Sequence, residues 1–283
     1  MQAVRSILVI IEPHDAESLA LNRAKLIACV TQAHLHLLVC DKKHDHSLLL
    51  EELKDDLLRA DFNATAQQAW NDSPHQTIID VQQAENCGLV IKQHFPDNPL
   101  KKALLTPDDW KLLRKCPSAV LMVKTATSWT GGVILAAVDV GNADGEHRAL
   151  HFSIVDYGFE IAALTKGQLH VIAAHPAPIL SAVDPAVHIQ ARYQEQCLAF
   201  QTEFDVDDSH LHIAEGPADV LIPHTAHTLK AAVTIIGTVG RTGISGALIG
   251  NTAEVILDSL ESDVLVLKTE EVIAHLEALA VNG

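Results

Sequence analysis

The chain has 283 residues, of which 48% are hydrophobic and only 4% aromatic, so it is long enough for two domains with aliphatic cores. Of its net charge of −16, −14 falls in residues 125–283; such a surface repels nucleic acid, and we expect no nucleic-acid partner. Apolar runs such as Ile7–Ile11 fall far short of the roughly 20 residues of a membrane helix, so no membrane association is predicted. The five cysteines form no C-x-x-C pair, which favours reduced thiols and a cytoplasmic location.

Segments near the start of the chain recur in its second half. Ile7–Glu12 (ILVIIE) resembles Ile134–Asp139 (ILAAVD), and Val120–Lys124 (VLMVK) resembles Val264–Lys268 (VLVLK). The spacing grows from 127 to 144 residues along the chain. A solenoid repeat is only about 20–50 residues long, so this period indicates two tandem domains.

Within each repeat, short aliphatic runs alternate with longer amphipathic stretches. Val133–Val138, for example, precedes Leu150, Ile154 and Ile161, which share one helical face. Continuous apolar runs are typical of strands buried on both faces of a parallel sheet. We therefore predict an α/β fold of two tandem doubly wound domains, residues 1–125 and 131–283, joined near residues 125–132. Each would be a mostly parallel five-stranded sheet with helices on both faces.

A glycine-rich segment follows the predicted fourth strand of the second repeat. Gly237, Gly240 and Gly250 have the spacing G-x2-G-x9-G, and Asn251 and Thr252 then begin a predicted helix. Glycine lets a ligand approach the main chain closely, and a helix N-terminus attracts anions. The segment therefore predicts a site for a phosphorylated ligand. The alternative is a structural one, in which Asn251 caps the helix together with Glu254.

Three predicted strand ends lie where ligands bind in such sheets, outside the carboxyl ends of the strands. They are Asp139, Ala174 and Gly237, which could surround one pocket. In the first repeat, the three glycine positions are taken by Gln93, Pro96 and Thr106. The segment Thr106–Asp109 (TPDD) instead predicts a capped helix start, where two carboxylates would take the place of a phosphate. We expect the first domain to carry a degenerate ligand loop.

Histidine is abundant, but the pattern predicts no metal site. The pairs His210/His212 and His224/His227 lack an evident third ligand of Cys, Asp or Glu at zinc spacing. No G-x-S-x-G nucleophile motif is found, so no catalytic residue is predicted.

On the repeat and the glycine loop, the chain resembles the universal stress protein family, in particular its tandem two-domain members of the E type. The resemblance implies ATP, with Mg²⁺, as a possible ligand of the second domain. Asp139 would then lie near the ribose or a metal, and the backbone of Ala174 near the adenine edge. The phosphates and ribose would be held by Gly237, Gly240, Gly250, Asn251 and Thr252. ATP-binding members have Ser or Thr after the last glycine, where this chain has Asn251.

The negative charge of the second half would repel a polyphosphate at this site. Arg241 is the only cation near the loop in the sequence, so a bound polyphosphate would need Mg²⁺. The resemblance also implies an intramolecular pseudo-dimer in which Val120–Lys124 pairs with Val264–Lys268, and it leaves open a homodimer of two chains. The sequence thus favours a cytoplasmic stress-response protein that binds a nucleotide or other phosphorylated ligand, with at most weak ATPase activity. Two alternatives stay open: a ligand-free interaction scaffold, and a binder of a nucleotide-linked metabolite with an apolar portion.

Overall fold

The computed structural model describes residues 4–15, 17–95, 105–140, 145–175, 195–196, 198–238 and 251–281. The strands are β1 (Ser6–Ile10), β2 (His34–Cys40), β3 (Ala64–Ala69), β4 (Leu89–Gln93), β5 (Ala119–Val123), β6 (Val133–Val138), β7 (Gln168–His175), β8 (Leu211–Glu215), β9 (Ala231–Thr238) and β10 (Asp263–Lys268). The helices are α1 (Leu19–Thr31), α2 (Ser47–Arg59), α3 (Pro74–Ala84), α4 (Pro107–Lys115), α5 (Gly145–Thr165), α6 (Ala218–Leu229), α7 (Asn251–Ser259) and α8 (Glu270–Val281), and residues 195–196 and 198–204 are helical as well.

The ten strands form one sheet in the order β3-β2-β1-β4-β5-β10-β9-β6-β7-β8. All pairs within each half are parallel, as predicted, and each half is doubly wound. The halves meet where β5 pairs antiparallel with β10, with Leu121 opposite Leu265. This confirms the predicted pairing of the two VLMVK-like segments. It also joins the two expected sheets into one, because the pairing covers two strand edges that would otherwise be open.

Helices cover both faces of the sheet, as predicted. Alternate residues of β1 point to opposite sides: Ile7 and Val9 pack on one face, and Leu8 and Ile10 on the other. Helices α1, α2 and α5 and the helical residue Phe200 contribute buried side chains to the first face, and α3, α4, α6 and α7 contribute them to the second. Each core runs through both halves of the chain. Among the described residues, none of the helices combines the length and the apolarity that crossing a membrane would need.

A buried carboxylate ties the two halves together beside the β5–β10 pair. Asp263 Oδ2 accepts hydrogen bonds from Arg23 Nε and from the Trp129 indole N–H, both at 2.8 Å. Asp263 Oδ1 accepts the backbone N–H groups of Lys124 at 2.8 Å and Thr125 at 3.1 Å. Burial raises the pKa of Asp263, and the Arg23 charge and these hydrogen bonds act against that rise. One side chain of the second half thus fixes α1 of the first half and the connecting segment.

Candidate functional site

The second half contains a crevice position of the kind that binds ligands in doubly wound sheets. From β6 the chain proceeds outwards through β7 to β8, and then returns to the other side of β6 as β9. The carboxyl ends of β9, β6 and β7 therefore lie side by side, with a topological switch point between β6 and β9. This arrangement brings Asp139, Ala174 and Gly237 to neighbouring strand ends, as the sequence predicts.

Asp139 directly follows β6 and is exposed at this edge of the sheet. Its backbone N–H donates to Nε2 of the buried His151 at 3.2 Å, which ties the end of β6 to helix α5. Ala174 lies in β7, opposite Ala214 of β8. Asp139 is therefore placed where a carboxylate can contact a ligand of the crevice.

Of the predicted loop, Gly240, Arg241 and Gly250 lie outside the described residues. Helix α7 begins at Asn251, which confirms the predicted helix start. Glu254, which the capping alternative pairs with Asn251, accepts a hydrogen bond from Arg114 in α4 of the first half. The Glu254 carboxylate is therefore used to join the two halves.

Gly237 has a packing reason to be glycine. A Cβ atom built at this position would lie 2.5 Å from Cδ2 of Leu150 and 3.0 Å from Cδ1 of Ile154, both on α5. The contact with Leu150 is shorter than those of real Cβ atoms and the contact with Ile154 is at the lower limit, so α5 packs closely on the Gly237 backbone. The sequence analysis explains this glycine by the close approach of a ligand. On this face of the sheet, helix α5 makes the close approach instead.

In the first half, residues of the protein itself occupy the corresponding helix N-terminus. Helices α4 and α7 each have nine residues and begin 144 residues apart, which is the offset of the repeat. Thr106 caps α4 with Pro107 in the first turn, as predicted, and it also forms a reciprocal capping box with Asp109. The Asp109 side chain is completely buried.

Asp109 is also the centre of a buried ionic cluster. Lys92 Nζ, at the end of β4, donates to Asp109 Oδ1 at 2.8 Å, and His94 Nδ1 lies 2.8 Å from Asp109 Oδ2. Burial alone would raise the pKa of Asp109, but the hydrogen bonds from His94 and Lys92 and the Lys92 charge hold it below its usual value. An ionised carboxylate of the protein therefore occupies the N-terminus of α4. The second predicted carboxylate, Asp108, is half exposed and lies 3.3 Å from His75.

Two further titratable residues, Glu12 and Cys40, lie near Lys92 at the ends of β1 and β2. Glu12, the counterpart of Asp139, follows β1 closely, and burial raises the pKa of its carboxyl group while the Lys92 charge opposes the rise. Burial also raises the pKa of the neighbouring Cys40 thiol to about 12, so this thiol stays protonated.

The second half lacks these charges at the matching positions. At the 144-residue offset, Lys92, His94 and Asp109 correspond to Ile236, Thr238 and Ala253. The Thr238 hydroxyl donates to the Leu267 carbonyl at 3.3 Å. A comparison of the glycine positions alone misses Lys92 and His94; continuing the same offset to the neighbouring strand positions would have found them.

Residues 132–268 match the family described as the universal stress protein family. The universal stress protein E homolog of Haemophilus influenzae is 31% identical, over 88% of this chain and 83% of its own length. The chain belongs to the universal stress protein family. The universal stress protein E of Salmonella typhi is 36% identical over 71% of this chain and 67% of its own length. A crystal structure of a putative universal stress protein from Pseudomonas aeruginosa UCBPP-PA14 is 64% identical, covers 99% of both chains and superposes with a TM-score of 0.94.

Proposed function

We propose that the second half binds the phosphate groups of a nucleotide or another phosphorylated ligand at the N-terminus of α7. The observation that carries this proposal is the difference between Asp109 and Ala253. In the first half, a buried carboxylate supplies the anion that a helix N-terminus favours. In the second half, alanine leaves that place to an anion from outside.

Asp139 gives the proposed site a metal ligand. A carboxylate next to bound phosphates is the usual setting for Mg²⁺, which takes one or two carboxylates together with phosphate oxygens. Because the second half is strongly acidic, such an ion also offsets the repulsion between the protein and a polyphosphate. ATP with Mg²⁺ is therefore the first ligand to test. The other proposed contacts are Ala174, Gly237, Gly240, Arg241, Gly250, Asn251 and Thr252.

The proposed role is that of a cytoplasmic stress-response protein that binds a ligand and is not primarily a catalyst. Binding is favoured over turnover, since Asp139 is the only candidate for a general base in this set, which leaves room for weak ATP hydrolysis at most. In this scheme residues 131–283 are the binding domain and residues 1–125 its structural partner, with the Lys92–Asp109–His94 cluster in place of a ligand.

The substitution Ala253→Asp tests the proposal by installing the carboxylate of the first half. Two like charges about 4 Å apart repel by about 4 kcal/mol at an effective dielectric constant of 20, so affinity for a phosphorylated ligand should fall more than about tenfold. Isothermal titration of wild type and variant with Mg-ATP, ADP and UDP-sugars measures the change. Ala253→Asn is the matched control, because it has the same shape without the charge.

Equal affinities for the Asp and Asn variants would place the phosphate elsewhere and overturn the proposal. If wild-type protein gives no heat with any of these ligands, the interaction scaffold becomes the better account. The contact of Gly237 with α5 favours that second candidate, because it explains one of the loop glycines without a ligand.

A further inference from the structure

In the loop between β2 and α2, three side chains of metal-binding type lie close together: Asp41, His44 and His46. None of them belongs to the histidine pairs His210/His212 and His224/His227. Asp41 Oδ2 lies 3.0 Å from His44 Nδ1 and 2.8 Å from His46 Nε2. The three atoms all lie within 4.8 Å of one another. The sequence pattern is D-x-x-H-x-H, which a search for spaced His and Asp residues within a single loop would have found.

The two distances from Asp41 Oδ2 are close to those between neighbouring ligand atoms of a metal ion. Zinc binds histidine nitrogen and carboxylate oxygen at about 2.0–2.2 Å in tetrahedral sites, so neighbouring ligand atoms are about 3.3 Å apart. The two separations from Asp41 Oδ2 are slightly shorter, as expected for hydrogen bonds that an ion would replace. Two nitrogens and one oxygen are also the donor set of many zinc sites that keep a fourth position open.

One side chain of the neighbouring strand β3 holds the backbone of all three residues. Gln68 Nε2 donates to the Asp41 carbonyl at 2.9 Å and to the His44 carbonyl at 2.6 Å. Gln68 Oε1 accepts the His46 backbone N–H at 2.8 Å. The loop is therefore fixed in the conformation that brings the three donor atoms together, which lowers the entropy cost of binding an ion.

The Asp41 carboxylate supplies the negative charge of this cluster. The Lys43 backbone N–H, His44 and His46 all hydrogen-bond to this carboxylate, which like other aspartates is ionised at neutral pH. The Lys43 N–H uses Oδ1, at 2.7 Å, and Oδ2 faces the two imidazoles. The nearby Lys42 ammonium lies 5.0 Å from the centre of the Trp70 ring, in a cation–π contact.

Exposure of the three side chains shows how an ion could enter. The side chains of Asp41 and His46 are 21% and 11% exposed, whereas that of His44 is 67% exposed. The two better-buried ligands form a fixed base, and the His44 side faces solvent. An ion bound here would have an open coordination position for water or for a ligand atom of another molecule.

We propose that Asp41, His44 and His46 form a binding site for a divalent transition-metal ion, with Zn²⁺ as the expected occupant. The site lies beside β2 and β3, near one end of the ten-stranded sheet, and belongs to the first half of the chain. It does not depend on the phosphate site proposed for the second half. It gives the first half a binding function of its own.

Zinc titration of the full-length protein, stripped of metal beforehand, tests the proposal. Isothermal titration should show one Zn²⁺ per chain, and His44→Ala should weaken this binding at least tenfold. Because His44 is largely exposed and its hydrogen bond to Asp41 is a surface contact, the variant should keep the wild-type circular dichroism spectrum and urea midpoint. His46→Ala should weaken binding to the same extent.

His227→Ala is the matched control, since His227 is also an exposed histidine near a carboxylate, 3.6 Å from Glu261. It should bind Zn²⁺ like the wild type. Substitution of Co²⁺ for Zn²⁺ should give the visible absorption of a tetrahedral site in wild type and in His227→Ala, and not in His44→Ala. The proposal is overturned if wild type binds no Zn²⁺ at micromolar concentration. It is equally overturned if His44→Ala retains the full stoichiometry and affinity.

Discussion

At the scale of single residues, the pair His210/His212 meets a third histidine on the neighbouring strand. His170 of β7 lies with its Nδ1 3.0 Å from Nε2 of His212 on β8, and its ring centre is 4.3 Å from that of His210. His210 ends a short 3₁₀ turn that directly precedes β8. Burial, together with the charges of His210 and His212, lowers the pKa of His170 to about 4. Burial also lowers the pKa of His212.

This cluster predicts a loss of stability in mildly acidic solution. An unfolded histidine titrates near pH 6.5, whereas folded His170 accepts a proton only near pH 4, so between these values the unfolded chain binds more protons. The free energy of unfolding should therefore fall as the pH drops from 7 to 5, and His170→Gln should reduce this slope. Urea midpoints at pH 7, 6 and 5 measure the effect.

Acidic residues with lowered pKa values, such as Asp109, act mainly below this pH window, because an unfolded Asp titrates near pH 3.9. His227→Ala serves as the control, since its ring is exposed and should leave the slope unchanged. If His170→Gln shows the same pH dependence as wild type, other buried histidines such as His75, whose pKa is also lowered by burial, would have to be responsible.

At the scale of elements, the contact between β9 and α5 gives Gly237 a measurable role. In Gly237→Ala, the new methyl group would meet Leu150, which is buried, at 2.5 Å and must displace it. Overpacking of this kind costs about 1–3 kcal/mol. We expect a loss of stability of that size in urea unfolding, and wild-type affinity for Mg-ATP per folded molecule if packing is the main role of this glycine.

Gly88→Ala is the control for the same chemical change, because a Cβ at Gly88 has open space around it. The free energy of unfolding of this variant should lie within about 0.5 kcal/mol of the wild-type value, as is usual for surface substitutions. A Gly237→Ala variant as stable as Gly88→Ala would show that α5 can move away. A stable variant that no longer binds Mg-ATP would show that Gly237 serves ligand binding and not mainly packing.

Elements with a local cause could be predicted from the sequence, and contacts between distant segments could not. The cap of α4 follows from Thr106, Pro107 and Asp109 alone, because capping depends on residues within one turn. The partners of Asp109, at the end of β4, are set by how the helix packs on the sheet. The packing role of Gly237 likewise depends on α5, about 85 residues earlier in the chain. Packing against a helix and close approach of a ligand both require glycine, so the sequence alone cannot distinguish the two roles.

The candidate site was predictable in outline for the same reason. Strand ends follow from apolar runs, so Asp139 and Ala174 could be placed at one edge of the sheet. The residues between β9 and α7 lie outside the described residues, so the roles of Gly240, Arg241 and Gly250 stay predictions.

At the scale of the whole molecule, a lysine of each half donates to a backbone carbonyl of the other half across the β5–β10 junction. Lys124 Nζ donates to the carbonyls of Leu257 at 3.0 Å and Leu260 at 2.5 Å, at the end of α7. Lys268, 144 residues later, donates to the carbonyl of Ser118, just after α4. Burial lowers the pKa of Lys124 to about 8. The repeat thus produces an intramolecular pair related by approximate two-fold symmetry, held by helix C-termini as well as by strands.

Asp263 breaks this symmetry and should dominate the stability of the junction. The Arg23 side chain is 9% exposed and that of Asp263 is fully buried, so Asp263→Ala leaves a buried guanidinium without its carboxylate counter-charge. Breaking a buried ion pair on one side costs about 3–5 kcal/mol. We expect the free energy of unfolding to fall by that amount in urea titrations at pH 7.

The control for this change is Glu261→Ala, two residues away and 79% exposed, which removes an acidic side chain from the same turn without uncovering a buried charge. It should cost less than about 0.5 kcal/mol, since exposed ion pairs contribute little. The Arg23 guanidinium also donates to the Thr127 carbonyl at 2.6 Å and lies 4.9 Å from the centre of the Trp129 ring. Removal of Asp263 should therefore also loosen the connecting segment, and trypsin should cleave after Lys124 faster in the variant. If Asp263→Ala were as stable as Glu261→Ala and resisted trypsin equally, the halves would be held by the β5–β10 pair and the apolar cores alone.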